Sequence, residues 1–344
     1  MIKNVAIVSL SSGIIGESFV GHEVGIGVKR LKDLGLNVTF MPHAQKGIEY
    51  VKEHPESRAK DLLDALKDPE TDMILCAIGG DDTYRLLPYL FEHGELADAA
   101  CQKIFLGFSD TTVNHFMLHK VGIKTFYGQS FLPDICELGN GMLPYTEKYF
   151  RELIETGTVK EITPADVWYE ERKDFSPEQI GTPLKSHPNS GFRKIQGNST
   201  FSGEILGSCI DTIYDFFYRD RYEDMPLLCK KYGLFPSLSD WEGKILLLES
   251  SEEKMTPKKY EKALLALKET GIFKVLSGII VGKPMDEAYI EEYNKALCAT
   301  IDDPSLPIVC NINIGHAQPR CIIPFGVRAT VDAEQGVIRF HNEK

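Results

Sequence analysis

A serine, a glutamate and a histidine, each at the end of an apolar run and in that order, are the residues of this chain best suited to chemistry. The serine is Ser109 in KIFLGFSDTTVNHFML, where an apolar run enters Gly-Phe-Ser-Asp and helical periodicity follows at once. A hydrolytic serine must be exposed, held against a base and set beside donors for a developing oxyanion. Gly107 permits a sharp turn, and a helix start leaves N–H groups unpaired beside the serine. This is the logic of a nucleophile elbow, although the pattern is G-x-S-D-T and not G-x-S-x-G. Taken alone, the segment fits a simple helix cap by Ser109 or Asp110 better.

The GGDD turn (79–82) also follows an apolar run and precedes a helix. Paired glycines let backbone approach a ligand closely, so Gly80 N–H and Asp110 N–H are candidate oxyanion donors. The competing reading is a tight turn capped by Asp82. A phosphate loop is the weaker option, because neither G-K-[ST] nor G-x-G-x-x-G is present. In KILLLESSEE, Glu249 closes a run that reads as a buried strand, where a carboxylate must find a partner or emerge into solvent. Glu252 and Glu253 read as a solvated helix start. Among nine histidines, His316 has the most unusual setting, NINIGHAQPR, after a glycine at a strand end. His54, His187 and His341 lie in polar surroundings and are expected to be exposed. His115 and His119 sit on the helix after Ser109, as core or surface residues.

These positions require elements to hold them. Over the first 150 residues, β-branched runs at 4–10, 37–42, 73–80, 103–109 and 124–128 alternate with helical stretches at 22–35, 57–70, about 83–93 and about 110–120. That alternation implies βαβ units and a parallel sheet, with ligands beyond the carboxyl ends of the strands. Residues 156–202 are rich in Pro, Gly, Ser, Asn and charge and read as a connector carrying a functional loop. Regular structure returns at 203–217 and 243–250, then a helix at 257–271 and strands at 275–282 and 306–315. The tail (326–340) resembles a hairpin around Ala333–Gly336. The expected fold class is α/β: an N-terminal parallel-sheet nucleophile domain (1–155), the connector (156–202), and a smaller, strand-rich C-terminal domain carrying acid and base (203–344).

Composition narrows the partners. At 344 residues, two domains are the natural expectation. A net charge of -12 disfavours nucleic acid and anionic membrane, which reward clustered Lys and Arg. No apolar run approaches the roughly 20 residues that cross a bilayer. Eight cysteines form no C-x-x-C pair and no zinc spacing, so no metal is expected and reduced thiols in the cytoplasm are the simplest reading. The start, MIKNVAIVSLSSGIIG, reads as a first strand and loop rather than a signal peptide.

Taken together, these segments resemble the LD-carboxypeptidase family, which includes muramoyl-tetrapeptide carboxypeptidases and microcin C immunity peptidases. The resemblance covers nearly the whole chain: SRAKDLLDAL, AIGGDDTYRLLPYL, IFLGFSDTT, TFYGQ, GEILGSC, ILLLES and the IGH turn. It implies a Ser-His-Glu hydrolase without cofactor or metal, commonly a homodimer. Ser109 would attack the carbonyl, His316 would act as base and then acid, and Glu249 would hold the imidazole tautomer. Gly80 and Asp110 would supply the oxyanion donors. Two departures stand out. Ser208 replaces the second glycine of the family's Gly-Gly, and the connector is long, as in the microcin-immunity branch. That branch uses this region to contact a nucleotide-like group, so Trp168 either stacks on a purine or pins the loop.

The function expected is cleavage of an amide in a small peptide or peptidyl-nucleotide that presents a carboxylate or its acidic mimic, with Arg85 and Arg320 as candidate anion ligands. A muramoyl-tetrapeptide carboxypeptidase of cell-wall recycling is the alternative within the family. Two rivals lie outside it. A cysteine amidohydrolase needs an elbow thiol, which Cys76 and Cys101 do not supply. A non-enzymatic two-lobed binding protein would keep its ligand in Ser109→Ala.

Overall fold

The computed structural model describes residues 1–341 and is built on two large β-sheets whose strand ends meet across a cleft, with a third, two-stranded sheet in the connector. The first sheet has the strand order Ile323–Pro324, Phe126–Tyr127, Ile104–Gly107, Met73–Cys76, Asn4–Val8, Asn37–Phe40. All neighbours pair in parallel except Ile323–Pro324, which returns from late in the chain to run antiparallel to Phe126–Tyr127. Met73–Cys76 and Ile104–Gly107 are buried along their whole length, as parallel strands covered on both faces must be.

The second sheet has eight strands, and Thr200–Cys209 is its pivot. Residues 200–204 pair antiparallel with Arg328–Asp332 of the C-terminal hairpin, and residues 205–209 pair parallel with Ile245–Glu249. Gly278–Gly282 and Ile308–Ile312 extend the parallel part. The carboxyl ends of this parallel set carry Cys209, Glu249 and the loop to His316. The ends of the first sheet carry the GGDD and GFSD turns.

Most expected elements are present, and the differences have local causes. The stretch at 83–93 splits into a 3-10 turn (Thr83–Leu86) and a short helix (Leu87–Phe91), because Pro88 has no N–H to continue the ladder. The helix at 257–271 begins at Pro257, capped by Thr256, so Glu252 and Glu253 precede it in a turn and do not start it. The connector holds short strands: Glu161–Ile162 and Arg193–Gln196 edge the second sheet, and Val167–Tyr169 pairs with Ser186–Pro188. Helices Pro144–Thr156 and Ile290–Ile301 lie in segments where the sequence analysis assigns no element.

Candidate active site

Ser109 sits where the strand Ile104–Gly107 breaks into a 3-10 turn (Ser109–Thr111) that feeds the helix Thr112–Lys120. Its φ is 66°, a left-handed conformation that costs a non-glycine residue about 1 kcal/mol or more. Surrounding bonds hold it there. Thr112 Oγ1 donates to Ser109 O (2.6 Å), and Ser109 N–H donates to the Tyr127 hydroxyl (3.2 Å). Asp110 turns its buried carboxylate away from the cleft, accepting from Ser11 Oγ (2.6 Å) and Thr83 N–H (2.9 Å). Burial pushes that carboxyl up to about 6. The Asp110 side chain therefore ties the elbow to the GGDD turn, while its N–H stays in the helix's first turn, where no intrahelical acceptor exists.

The GGDD turn packs directly on Ser109. A Cβ at Gly79 would lie 2.6 Å from Ser109 Cβ, and one at Gly80, whose φ is +152°, would lie 2.2 Å from Ser11 Oγ. Asp82 does not cap a helix. It forms a buried ion pair with Arg58 (2.6 Å), whose guanidinium also donates to Leu10 O (3.1 Å). Gly80 and Ser109 line one cleft, with Asp110 following at once, so both candidate oxyanion groups flank the serine.

The candidate acid and base, Glu249 and His316, come from the second sheet. Glu249 Oε2 accepts from His316 Nδ1 (2.8 Å) and His316 N–H (3.2 Å), while Glu249 Oε1 accepts from the Tyr127 hydroxyl. The close approach requires glycine at 315, where a Cβ would stand 2.4 Å from Glu249 Oε2. Burial alone would raise Glu249, but the His316 charge and these bonds outweigh it and hold the carboxyl below its ordinary range. Burial likewise disfavours charging His316, and Glu249 overcomes it, holding the imidazole above its ordinary value. With Nδ1 committed to Glu249, Nε2 is the free base position. Here Nε2 faces Glu252 Oε2 (3.1 Å), and no hydrogen bond joins it to Ser109 Oγ. Ser109 and the Glu249–His316 pair thus face one cleft, with Glu252 on the second ring nitrogen of His316. Cys209 Sγ, a Glu249 oxygen and a His316 nitrogen also lie within 4.8 Å of one another. Burial keeps the Cys209 thiol protonated, and both Glu249 oxygens are engaged, so this trio is a poor ligand set.

The cleft encloses about 320 Å³ and is lined by Ser109, Gly80, His316, Phe108, Arg320 and, from the connector, Arg172 and Phe175. The connector therefore forms one of its walls. A larger cavity, about 880 Å³, borders Ile2, Asp72 and Ile104 at the opposite, amino-terminal ends of the first sheet, away from these groups.

Three expected ligands are placed differently. Arg85 does not line the cleft: it pairs with Asp82 (3.5 Å) and lies against the Tyr84 and Tyr222 rings. Arg320 does line it but is already committed, to Asp134 (3.2 Å), to His316 O (2.9 Å) and to the Phe108 ring. Its visible task is to hold the His316 loop. Trp168 is buried in the connector hairpin, stacked on His187 at 4.5 Å, and does not reach the cleft. His115 is a core residue behind the elbow, bonded to Thr125 and Gly107 O, and burial lowers it to about 4. Cys76 is buried within its strand and Cys101 is half-buried away from the cleft, so neither is an elbow thiol. Ser208 has φ +139° and donates to Thr112 Oγ1 (2.8 Å), a link between the second sheet and the elbow helix. Tyr127 escapes sequence reasoning, because a tyrosine ending a strand has no distinguishing spacing; Ser208 is visible in sequence as a departure from the family pattern, but its bond to Thr112 is not.

A cleft built at the carboxyl ends of the parallel strands of two sheets, with an elbow on one side and a paired histidine on the other, fits a two-lobed α/β hydrolase. The chain belongs to the LD-carboxypeptidase family: residues 5–128 match its N-terminal domain and residues 202–331 its C-terminal domain. It is 62% identical to an MccF-like protein from Streptococcus pneumoniae, whose crystal structure is a complex with AMP; the two superpose with a TM-score of 0.99 over 100% of both chains. An MccF-like protein from Bacillus anthracis is 26% identical, with a TM-score of 0.80 over 98% of this chain and 97% of its own. The microcin C7 self-immunity protein MccF of Escherichia coli is 25% identical over 80% of this chain and 76% of its own. The family and these relatives make the chain a carboxypeptidase-like hydrolase.

Proposed function

We propose that the protein hydrolyses an amide-type bond in a small peptidyl- or aminoacyl-nucleotide through an acyl-enzyme on Ser109. The observation that carries this reading is the placement of Ser109, on its left-handed turn, in the same cleft as a His316 whose Nδ1 is fixed by buried Glu249. His316 Nε2 takes the Ser109 proton as Oγ bonds to the carbonyl carbon, and returns it to the leaving nitrogen. Gly80 N–H and Asp110 N–H stabilise the oxyanion, a contribution of about 3 kcal/mol for each donor. Water, deprotonated by the same imidazole, then releases the acid. For His316 to act, Glu252 must leave Nε2. Glu252 is half-exposed on a turn, and this reaction requires substrate entry to displace it.

The nucleotide part of the reading is supported by the S. pneumoniae relative's complex with AMP. The free thiols, most of them buried, fit a reducing, cytoplasmic setting, and the family likeness carries the expectation of a homodimer. The test is mass spectrometry of products from an aminoacyl-sulfamoyl adenosine. Wild-type protein is expected to release the amino acid, and Ser109→Ala to lose at least about 10⁴-fold in kcat/KM with an unchanged fold. Turnover that survives in Ser109→Ala would refute the assignment.

A further inference from the structure

Beside the catalytic cleft lies a second, smaller pocket of about 30 Å³, bordered by Gly80, Ser109 and Asp110 on one side and by the segment after Cys209 on the other. Its charged lining is nearly all acidic: Asp81, Asp211, Asp215, Glu252 and Glu253 face a single cation, Arg221. Arg221 is already used, pairing with Glu253 (2.6 Å) and Asp215 (3.7 Å). Among the described residues, Asp211 and Asp81 have no Lys or Arg within ion-pair distance. Asp211 carries the decisive detail. Its side chain is more than nine-tenths buried, Oδ2 accepts from Ser251 N–H (2.9 Å), and Oδ1 has no partner. An unsatisfied buried carboxylate oxygen costs about 1–3 kcal/mol or more, so a group that satisfies it binds favourably. Burial pushes Asp215 up to about 7 in spite of the neighbouring Arg221, and burial also raises Asp211.

We infer that this pocket binds a primary ammonium group on the acyl part of the substrate, the part that becomes attached to Ser109. The inference rests on the hydrolase reading above and names its substrate class. The pocket borders the nucleophile and both oxyanion residues, so whatever occupies it is connected to the carbonyl under attack. About 30 Å³ suits one water-sized head group. A metal ion fits less well, because among the described residues no three of these carboxylates bring oxygens within 4.8 Å of one another. An acidic group on the acyl part would face these carboxylates with no uncommitted cation.

The test uses Ser109→Ala, so that binding is read without turnover, and isothermal titration with four sulfamoyl adenosines: lysyl, Nα-acetyl-lysyl, norleucyl and glutamyl. Lysyl is expected to bind at least about tenfold tighter than norleucyl if the side chain supplies the ammonium. If the α-ammonium does, lysyl and norleucyl bind alike and acetylation costs about tenfold or more. Either preference should collapse in Ser109→Ala/Asp211→Asn. Equal binding of lysyl, norleucyl and acetyl-lysyl, or tightest binding of glutamyl, overturns the inference. Wild-type turnover separates the two claims. An ammonium preference in binding with no hydrolysis would sink the proposed reaction and leave the pocket standing. Hydrolysis with no preference would do the reverse.

Discussion

The two sheets position their halves of the candidate site by different physics. In the first, backbone shape does the work: Ser109 sits at φ 66°, pressed against Gly79 and held by bonds to its own N–H and C=O. In the second, charge does it: Glu249 and His316 are ordinary strand-end and loop residues, fixed because each is buried against the other. A site on the first side should therefore be sensitive to added volume, and a site on the second to lost charge.

Four substitutions or conditions sharpen that contrast. Glu249→Gln preserves volume and removes the charge, and should lower kcat about 10⁴-fold by freeing the wrong imidazole tautomer, as measured in steady-state assays. Gly79→Ala changes no charge but places a methyl 2.6 Å from Ser109 Cβ. A displaced nucleophile should cost about 10²-fold in kcat/KM, with melting temperature little changed. If Gly79→Ala were harmless and Glu249→Gln mild, the division drawn above would fail. The third is a pH profile. Only neutral His316 accepts a proton, and Glu249 raises its pKa, so kcat/KM should fall tenfold per pH unit below a limb lying above the ordinary imidazole value of about 6.5. In Glu249→Gln the limb of the residual activity should move to lower pH, since the charge that raised it is gone. The smallest effect belongs to Ser208→Gly. It relieves the strain of φ +139° and loses the bond to Thr112, so thermal unfolding should shift by no more than about 1 kcal/mol.

The same contrast explains what the sequence reveals. Ser109, Glu249 and His316 are legible because each interrupts an apolar run, and a polar residue at a buried strand end demands a reason. The parallel strands are legible for the same cause, as uninterrupted apolar runs. Tyr127 is not, since aromatic residues fill cores everywhere, and its hydroxyl's partners come from positions 109 and 249. Arg85, Arg320 and Trp168 show the opposite difficulty. Their side chains suit a ligand, but Asp82, Asp134 and His187 occupy them, and no local pattern announces such partners. Glu252 reads as a solvated charge, and it is half-exposed; its contact with His316 depends on a loop 64 residues away in sequence, the interval from position 252 to position 316. Asp211 is silent in sequence because an isolated aspartate after a strand is commonplace. Only three-dimensional crowding by other acids gives it meaning.

The hydroxyl of Tyr127 has one more consequence. A single oxygen receives the Ser109 amide from one sheet and hands its own proton to Glu249 on the other. Ser109 and Glu249 are thus surveyed from a shared benchmark, and a slip between the lobes of merely a hydrogen bond's length would misalign both. Turnover should then vanish under mild denaturant while circular dichroism still reads native, making catalysis the finer gauge of how the two halves sit together.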